Sequence, residues 1–145
     1  MKSYVSDNEI LFGCSDGSKC LVALQSHNKR FVSAEENGKV HANSEKLQNS
    51  EVFEVIFQGP KYVLFKNYHK NYLGAESNGN LNYKYGRVHW TVEYKGKDGF
   101  AFKSIWGKYL VADTNGALDA NQKNAGLFGF FKVIKIKGRY KKNHL

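Results

Sequence analysis

Proline and cysteine are scarce in this chain of 145 residues, which contains one proline and two cysteines. Cys14 and Cys20 are too few and too close together for a disulfide framework, and no second pair completes a zinc site. No run approaches the roughly 18 apolar residues of a bilayer-spanning helix. The start, MKSYVSDNEI, lacks the apolar stretch of a secretory signal. We therefore expect reduced thiols in a cytosolic protein, with a Cys14–Cys20 loop disulfide as the alternative.

The residues that are abundant favour one folded all-β domain. Hydrophobic residues make up 41% of the chain and aromatic residues 14%, mostly Tyr and Phe, and there are 14 glycines. Such a composition is typical of a folding sequence rather than a disordered one. Aromatic side chains suit pleated, half-buried strands, and glycines suit the tight turns between them. The length is that of one compact domain.

The formal net charge of +9 is unevenly distributed along the chain. Residues 61–110 and residues 132–145 each carry a net charge of +6, whereas the rest of the chain is close to neutral. A basic field of this kind favours an acidic partner, which can be an acidic protein surface, anionic lipid or nucleic acid. The charge alone does not choose among these partners.

A unit of similar sequence occurs three times. The copies contain the words KRFVSAEENGKVHA, KNYLGAESNGNL and GKYLVADTNGAL, whose alanines (Ala34, Ala75 and Ala112) are 41 and 37 residues apart. An Asn-Gly pair follows each alanine at the same offset, and each copy closes on an aromatic-x-Val strand that begins at Phe53, Trp90 or Phe131. Matches at equal offsets establish an internal repeat.

Each unit has an alternating pattern that predicts four strands, with an Asn-Gly turn whose two central residues adopt positive φ. Units this short must share one core, and closing them on each other removes the sheet edges. We therefore predict an all-β fold, a β-trefoil with three repeats of about 40 residues and four strands each. Residues 20–138 would form the trefoil, residues 1–19 a leader or first pairing segment, and residues 139–145 a basic tail.

The recurring residues have structural explanations. We expect the large apolar residues of the second strands to supply core layers and the three alanines to lie where strands crowd. The carboxylates of Glu35, Glu76 and Asp113 precede the second turn, where they can accept hydrogen bonds from turn N–H groups. The expected core residues of the second strands are Phe31, Val32, Tyr72, Leu73, Tyr109 and Leu110. Trp90 is likewise expected in the core.

These units resemble the fascin repeat, G-[KR]-[YF]-[LV]-x-A-[ED]-x2-G-x-[VL], over residues 20–134. The resemblance implies a β-trefoil and a non-enzymatic actin-binding protein of the cytoplasm, at the actin cytoskeleton or cell cortex. The length is similar to that of the single-trefoil, histidine-rich hisactophilins. The chain departs from them because its first turns hold Lys29-Arg30, Lys70-Asn71 and Gly107-Lys108 instead of histidines, which argues against a sharp protonation switch near neutral pH.

No His-Glu-x-x-His, Gly-x-Ser-x-Gly or P-loop word is present, so we predict neither catalytic residues nor a metal or cofactor. The functional expectation rests on basic residues of the first turns and of the C-terminal end. These are Lys29, Arg30, Lys70, Lys108, Lys132, Lys135, Lys137, Arg139, Lys141 and Lys142. The expected partner is the actin filament, with the chain a monomer or weak homodimer. The alternatives are a module for anionic lipid such as phosphoinositide, or for nucleic acid, and a carbohydrate-binding trefoil lectin.

Overall fold

A computed structural model describes residues 7–82 and 88–137 of the chain. Within these ranges one short helix precedes twelve strands, four from each repeat. The helix α1 spans Asp7–Leu11. The strands are β1 Cys20–Gln25, β2 Phe31–Ala34, β3 Val40–Ser44, β4 Phe53–Gln58, β5 Tyr62–Lys66, β6 Gly74–Ala75, β7 Leu81–Asn82, β8 Trp90–Tyr94, β9 Phe100–Lys103, β10 Tyr109–Ala112, β11 Leu118–Gln122 and β12 Lys132–Lys135. The fold is the predicted all-β trefoil.

The first and last strands of the repeats form a closed barrel. Antiparallel pairing runs from β12 to β1, β4, β5, β8 and β9 in turn. The ring closes between Phe100 and Phe131, whose backbone groups exchange two hydrogen bonds of 2.8 Å. A Cβ on Gly99 would lie 2.2 Å from the carbonyl oxygen of Phe131. Closure therefore requires a glycine at position 99.

The second and third strands of each repeat form a hairpin, and the hairpins of different repeats join head to tail. The N–H of Ala120 donates to the carbonyl of Gly79, and the N–H of Ala42 donates to that of Gly116, each at 2.8 Å. A Cβ on Gly116 would approach the side chain of Asn43 to 2.7 Å. The turn glycines are thus needed for contact between repeats as well as for the turns.

The Asn-Gly turn differs from the prediction. Glu35 and Lys39 are joined by a backbone hydrogen bond of 2.8 Å, so the hairpin loop has three residues rather than two. Of these, Gly38 has a positive φ (93°), and Asn37 does not. The Asn37 side chain instead accepts a hydrogen bond from the N–H of Lys39. This three-residue hairpin loop is a type I turn followed by one residue in the left-handed conformation.

The core follows the alternation of the strands. Val32, Leu73 and Leu110 are fully buried, as predicted. Their neighbours Phe31, Tyr72 and Tyr109 are partly buried on the other side of each strand, where Phe31 packs against a second apolar cluster that contains Leu21. The reason is the period of two, which sends adjacent residues of a strand to opposite faces. The expected core positions of the three alanines and of Trp90 are confirmed, and the other two closing aromatics, Phe53 and Phe131, are buried as well.

Residues 7–19 contain the helix α1 and no strand, and they pack against one end of the barrel. After α1, Phe12 enters the barrel end and is 3% exposed. Its ring makes edge contacts with Phe57 and Phe100, at centroid distances of 5.7 and 4.9 Å. The side chain of Asn8 donates to the carbonyl of Pro60 in the facing β4–β5 turn. This segment therefore covers the barrel end opposite the hairpins.

The expectation of reduced cysteines is also wrong for this structure, in which Cys14 and Cys20 form a disulfide. Gly13 has a positive φ of 76°, and the resulting turn brings Cys14 alongside the first residue of β1, with a Cα separation of 5.4 Å. Both cysteines are buried. The bond therefore fastens the segment that carries Phe12 to the barrel.

Replacement of Gly99 by alanine is expected to lower the free energy of unfolding by about 3–5 kcal/mol, because a strained φ and a clash with backbone add together. Gly96→Ala is the control, since that glycine lies in the same turn, also with a positive φ, but a Cβ there would meet no atom within 4 Å. This control should cost only about 1 kcal/mol. Denaturant unfolding measures both, and equal losses would contradict the closure role.

Reduction of the Cys14–Cys20 bond is expected to lower the free energy of unfolding by about 2 kcal/mol, the loss of loop-closure entropy for so short a loop. Denaturant unfolding with and without a thiol reductant measures the difference. The double variant Cys14→Ser/Cys20→Ser is the control and should behave like the reduced protein in both conditions. Unchanged stability of the native sequence on reduction would be inconsistent with this expectation.

Candidate functional site

The predicted basic residues fall in three places. Lys29, Arg30, Lys70 and Lys108 lie in the turns between the first and second strands of their repeats, as expected. Lys132 and Lys135 are the first and last residues of β12, and Lys137 follows it. Arg139, Lys141 and Lys142 lie outside the described residues.

Lys29 and Lys70 occupy a backbone conformation that is unusual for lysine. Their φ angles are 64° and 69°, and they are the two non-glycine residues with positive φ in the described part of the chain. Gly107 holds the equivalent position in the third repeat, with a φ of 79°. A non-glycine residue is disfavoured there by about 1 kcal/mol or more. Two repeats therefore keep an exposed lysine where glycine would be more stable.

Arg30 and Lys108 are engaged within the chain. The guanidinium of Arg30 donates to the side-chain oxygen of Asn43 at 2.6 Å and pairs with Glu45 at 3.3 Å. The ammonium of Lys108 donates to the carbonyl of Ser77 at 3.0 Å. Arg30 is thus engaged within the first repeat and Lys108 with the second repeat, so both contribute less to a free basic surface than Lys29 and Lys70 do.

The structure brings two of the predicted residues together in one cleft, here called the β12–β1 cleft. Lys29 comes from the first turn and Lys132 from the last strand, and they meet because Gln25 pairs with Lys132 across β1 and β12. The cleft has a volume of about 250 Å³. Its lining residues are Gln25, Ser26, His27, Lys29, Asp98, Leu127, Phe130 and Lys132.

A buried hydroxyl group lies at this cleft. Ser26 is 4% exposed, and its Oγ has no hydrogen-bond partner among the described residues. A buried polar group without a partner costs free energy unless a ligand or water satisfies it. Ser104, which holds the equivalent position in the third repeat, accepts a hydrogen bond from the N–H of Trp106. Ser26 therefore lines the β12–β1 cleft with Lys29 and Lys132, but its hydroxyl oxygen is almost fully covered.

The lysines of β12 are partly anchored. The ammonium of Lys132 donates to the carbonyl of Lys97 in the β8–β9 turn, and that of Lys135 donates to the carbonyl of Gly13 at 2.6 Å. Both carbonyl partners are neutral, whereas Asp98 lines the same cleft as Lys132 and the charge of Asp16 interacts with that of Lys135. Lys137 is exposed. Lys132 and Lys135 are three residues apart and so project from opposite faces of β12, where the turn and the N-terminal segment hold them.

A second and larger cleft was not foreseen from the sequence. It has a volume of about 600 Å³ and lies over Thr91 on the outer face of β8; we call it the Thr91 cleft. Its lining residues are Gln58, Tyr62, His89, Thr91, Lys103, Ser104, Ile105 and Gly107. The pairing register between β5, β8 and β9 places these residues together. The alternating pattern within one repeat does not predict that register.

A polar network borders the Thr91 cleft. Glu93 accepts a hydrogen bond of 2.8 Å from the hydroxyl of Tyr109 and pairs with Lys95 at 3.1 Å and Lys103 at 3.5 Å. Burial alone would raise the pKa of Glu93, but the hydrogen bonds from Tyr109 and Lys95 and the two lysine charges outweigh it and lower the pKa. Burial, and then the bond to Glu93, raises the pKa of Tyr109.

The carboxylates before the second turns behave in two ways. Asp113 accepts hydrogen bonds from the N–H groups of Asn115 and Ala117, as predicted. Glu35 instead contacts the imidazole of His41 at 2.6 Å, and Glu76 accepts from the side chain of Asn82. The longer glutamate side chain reaches past the turn to the next strand. These carboxylates are therefore structural members of the hairpins.

The described ranges contain neither a cluster of metal-binding side chains nor a bilayer-spanning helix. Residues 7–82 and 88–137 hold no group of three or more His, Cys, Asp or Glu side chains suited to a metal ion. No helix in these ranges has the length and apolar character needed to cross a bilayer.

The closed three-fold barrel with clefts between its repeats defines the chain as a β-trefoil protein with a basic outer surface. The family model of the Fascin domain matches residues 7–89, more than half of the chain. The chain therefore belongs to the fascin family. No curated protein gives a significant match to it.

Replacement of Glu93 by glutamine is expected to lower the free energy of unfolding by about 1 kcal/mol at neutral pH. The pKa of Glu93 is lowered by folding from a usual value of 4.5. Its stabilising effect is therefore present above that value and is lost as the pH falls through the lower folded-state pKa. Denaturant unfolding of both proteins at neutral and acid pH measures this.

The control for this pH dependence is Glu45→Gln, because Glu45 pairs with Arg30 at an exposed site where 73% of the carboxylate side chain is accessible. Exposed pairs contribute little, so this variant should remain close to the native protein at either pH. An equal loss for Glu93→Gln at neutral and acid pH would contradict a role for the carboxylate charge.

Proposed function

We propose that this fascin-family chain is a non-enzymatic actin-binding protein that contacts filaments through cations on the outside of its trefoil. The proposal is supported by membership of a family of actin-bundling proteins and by the net charge of +9. The proposed location is the cytoplasm, at the actin cytoskeleton or cell cortex, with the chain as a monomer or weak homodimer. Cytosolic disulfides seldom persist, so the Cys14–Cys20 pair would be reduced there.

The observation that carries the proposal is the β12–β1 cleft. Lys29 and Lys132 come from opposite ends of the chain and line this cleft together with Ser26. The two ammonium groups of the cleft outnumber its one carboxylate, that of Asp98, and so suit a further carboxylate, because charge-assisted hydrogen bonds are the stronger ones. An aspartate or glutamate side chain on an acidic protein surface is small enough for the volume of about 250 Å³.

The backbone conformation of Lys29 and Lys70 gives independent support. The third repeat shows that glycine fits this position, yet the first two repeats hold lysine at φ values of 64° and 69°. Strained backbone is commonly retained where a side chain has a function. A glycine at either position would lack the exposed ammonium group that lysine provides.

Co-sedimentation with actin filaments across a salt series tests the proposal, using the native protein and the variants Lys29→Gly and Lys70→Gly. Both variants relieve the same backbone strain. The free energy of unfolding of each variant should therefore equal that of the native protein or exceed it by up to about 1 kcal/mol. Only Lys29 lines the β12–β1 cleft. We expect Lys29→Gly to weaken binding about tenfold and Lys70→Gly to weaken it less.

Charge-matched controls are the single variants Lys46→Ala and Lys123→Ala, each of which removes one exposed lysine outside the cleft. Each should bind nearly as the native protein does. No pelleting of the native protein at low salt would contradict actin binding. A steep loss with salt that is the same for filaments, DNA and phosphoinositide vesicles would support the alternative of a general anion-binding module.

A further inference from the structure

The strand register aligns the side chains that form the Thr91 cleft. Gln58 is paired with Tyr62, Tyr62 with Thr91, and Thr91 with Lys103, so one row crosses β4, β5, β8 and β9. Residues paired in this way share a face of the sheet. With neighbouring strands spaced about 4.8 Å apart, the strands of Tyr62 and Lys103 lie roughly 10 Å from each other. The short side chain of Thr91 forms the floor between them.

The other two repeats have no such open floor. Counting from the closing aromatic residue, Glu54 and Lys132 hold the positions equivalent to Thr91, and both are long charged side chains. Glu54 is paired with Lys66, and Lys132 with Gln25. The volume of the Thr91 cleft is about 600 Å³, whereas that of the β12–β1 cleft is about 250 Å³. The second repeat is thus distinguished by a short side chain at this position; other clefts, of about 480 and 400 Å³, lie at different positions on the described surface.

One wall of the cleft is aromatic. The rings of Tyr62 and His89 meet edge to face at a centroid distance of 5.7 Å. Tyr62 is 43% exposed although it belongs to a strand, and Ile105 on the facing turn is also 43% exposed. Contact with His89 holds the tyrosine ring in place. A partly exposed ring held in this way is a preformed stacking surface.

The polar lining is nearly neutral. Lys103 is the one cation among the eight lining residues, and it pairs with Glu93 at 3.5 Å. The remaining polar groups are neutral amide and hydroxyl groups together with one imidazole, from Gln58, Thr91, Ser104 and His89. An anionic ligand would find no uncompensated positive charge there. Neutral donors and acceptors next to a ring suit a ligand that presents both hydroxyl groups and C–H faces.

We propose that the Thr91 cleft binds a neutral pyranose saccharide. One C–H face of the sugar stacks on Tyr62, and its hydroxyl groups exchange hydrogen bonds with Gln58, Thr91 and Ser104. The spacing of roughly 10 Å between the strands of Tyr62 and Lys103 accommodates one sugar ring over Thr91. This activity is separate from actin binding, since the β12–β1 cleft shares none of these residues.

The test is saturation-transfer NMR on the native protein with neutral methyl pyranosides of glucose, galactose, mannose and N-acetylglucosamine and with their disaccharides. Backbone amide shifts then locate the binding site. We expect transfer to at least one of these sugars, and shifts at Tyr62, Thr91 and Ser104 but not at Ser26. Adenosine and glucose 6-phosphate serve as aromatic and anionic comparison ligands.

Two variants test the location. Thr91→Lys introduces the residue that the third repeat carries at the equivalent position, so the fold has a precedent for it, and it should weaken sugar binding at least about tenfold by filling the floor. Tyr62→Ala should weaken binding similarly by removing the stacking surface. Tyr68→Ala is the matched control, because Tyr68 is also 43% exposed and also contacts a histidine ring, at 5.5 Å, but lies outside the cleft.

Absence of transfer from every neutral sugar would overturn the proposal. It would also be overturned by tighter binding of adenosine or of glucose 6-phosphate, or by sugar binding that survives both Thr91→Lys and Tyr62→Ala. Thr91→Lys should leave actin co-sedimentation unchanged, so failure of the sugar proposal is distinguishable from failure of the actin proposal.

Discussion

The contact between Gly99–Phe100 and Phe131 holds the architecture together. Each repeat is a four-strand unit with apolar residues on faces that it cannot bury alone. Pairing of Phe100 with Phe131 joins the third repeat to itself across the barrel, and pairing of β12 with β1 joins it to the first. With these two contacts, each of the six described barrel strands has a paired neighbour on both sides. The large side chains of all three repeats can then share one interior. There the ring of Phe102 contacts the rings of both Phe65 and Phe131.

The closed barrel also explains how three similar units produce dissimilar surfaces. Core positions are constrained by the shared interior, which accepts a similar set of apolar side chains in every repeat. Outward positions carry no such constraint. Thr91, Glu54 and Lys132 therefore differ while their neighbours Trp90, Phe53 and Phe131 are all buried aromatics. The same scaffold thus forms a neutral, aromatic cleft over Thr91 and a small basic cleft beside Lys132.

Much of the fold was predictable because it depends on local pattern. Alternation located the strands, and the repeat spacing indicated three-fold closure, the buried alanines and the buried closing aromatics. The prediction failed in two ways. Burial of Phe12 depends on Phe57 and Phe100, which are distant in sequence. The Cys14–Cys20 bond depends on local backbone geometry, a turn at Gly13 that residue types alone did not reveal. The predicted two-residue Asn-Gly turn was wrong because side-chain capping by Asn37 stabilises a three-residue loop.

The candidate site shows the same division. Sequence alone identified the basic residues of the first turns and of the C-terminal strand, because charge and repeat position can be read from the order of residues. Only the tertiary structure decided that Arg30 and Lys108 are engaged, that Lys29 meets Lys132, and that an open floor lies over Thr91. The physical reason is strand register: hydrogen bonding between strands of different repeats sets which outward side chains are neighbours, and no period within a single repeat encodes that pairing.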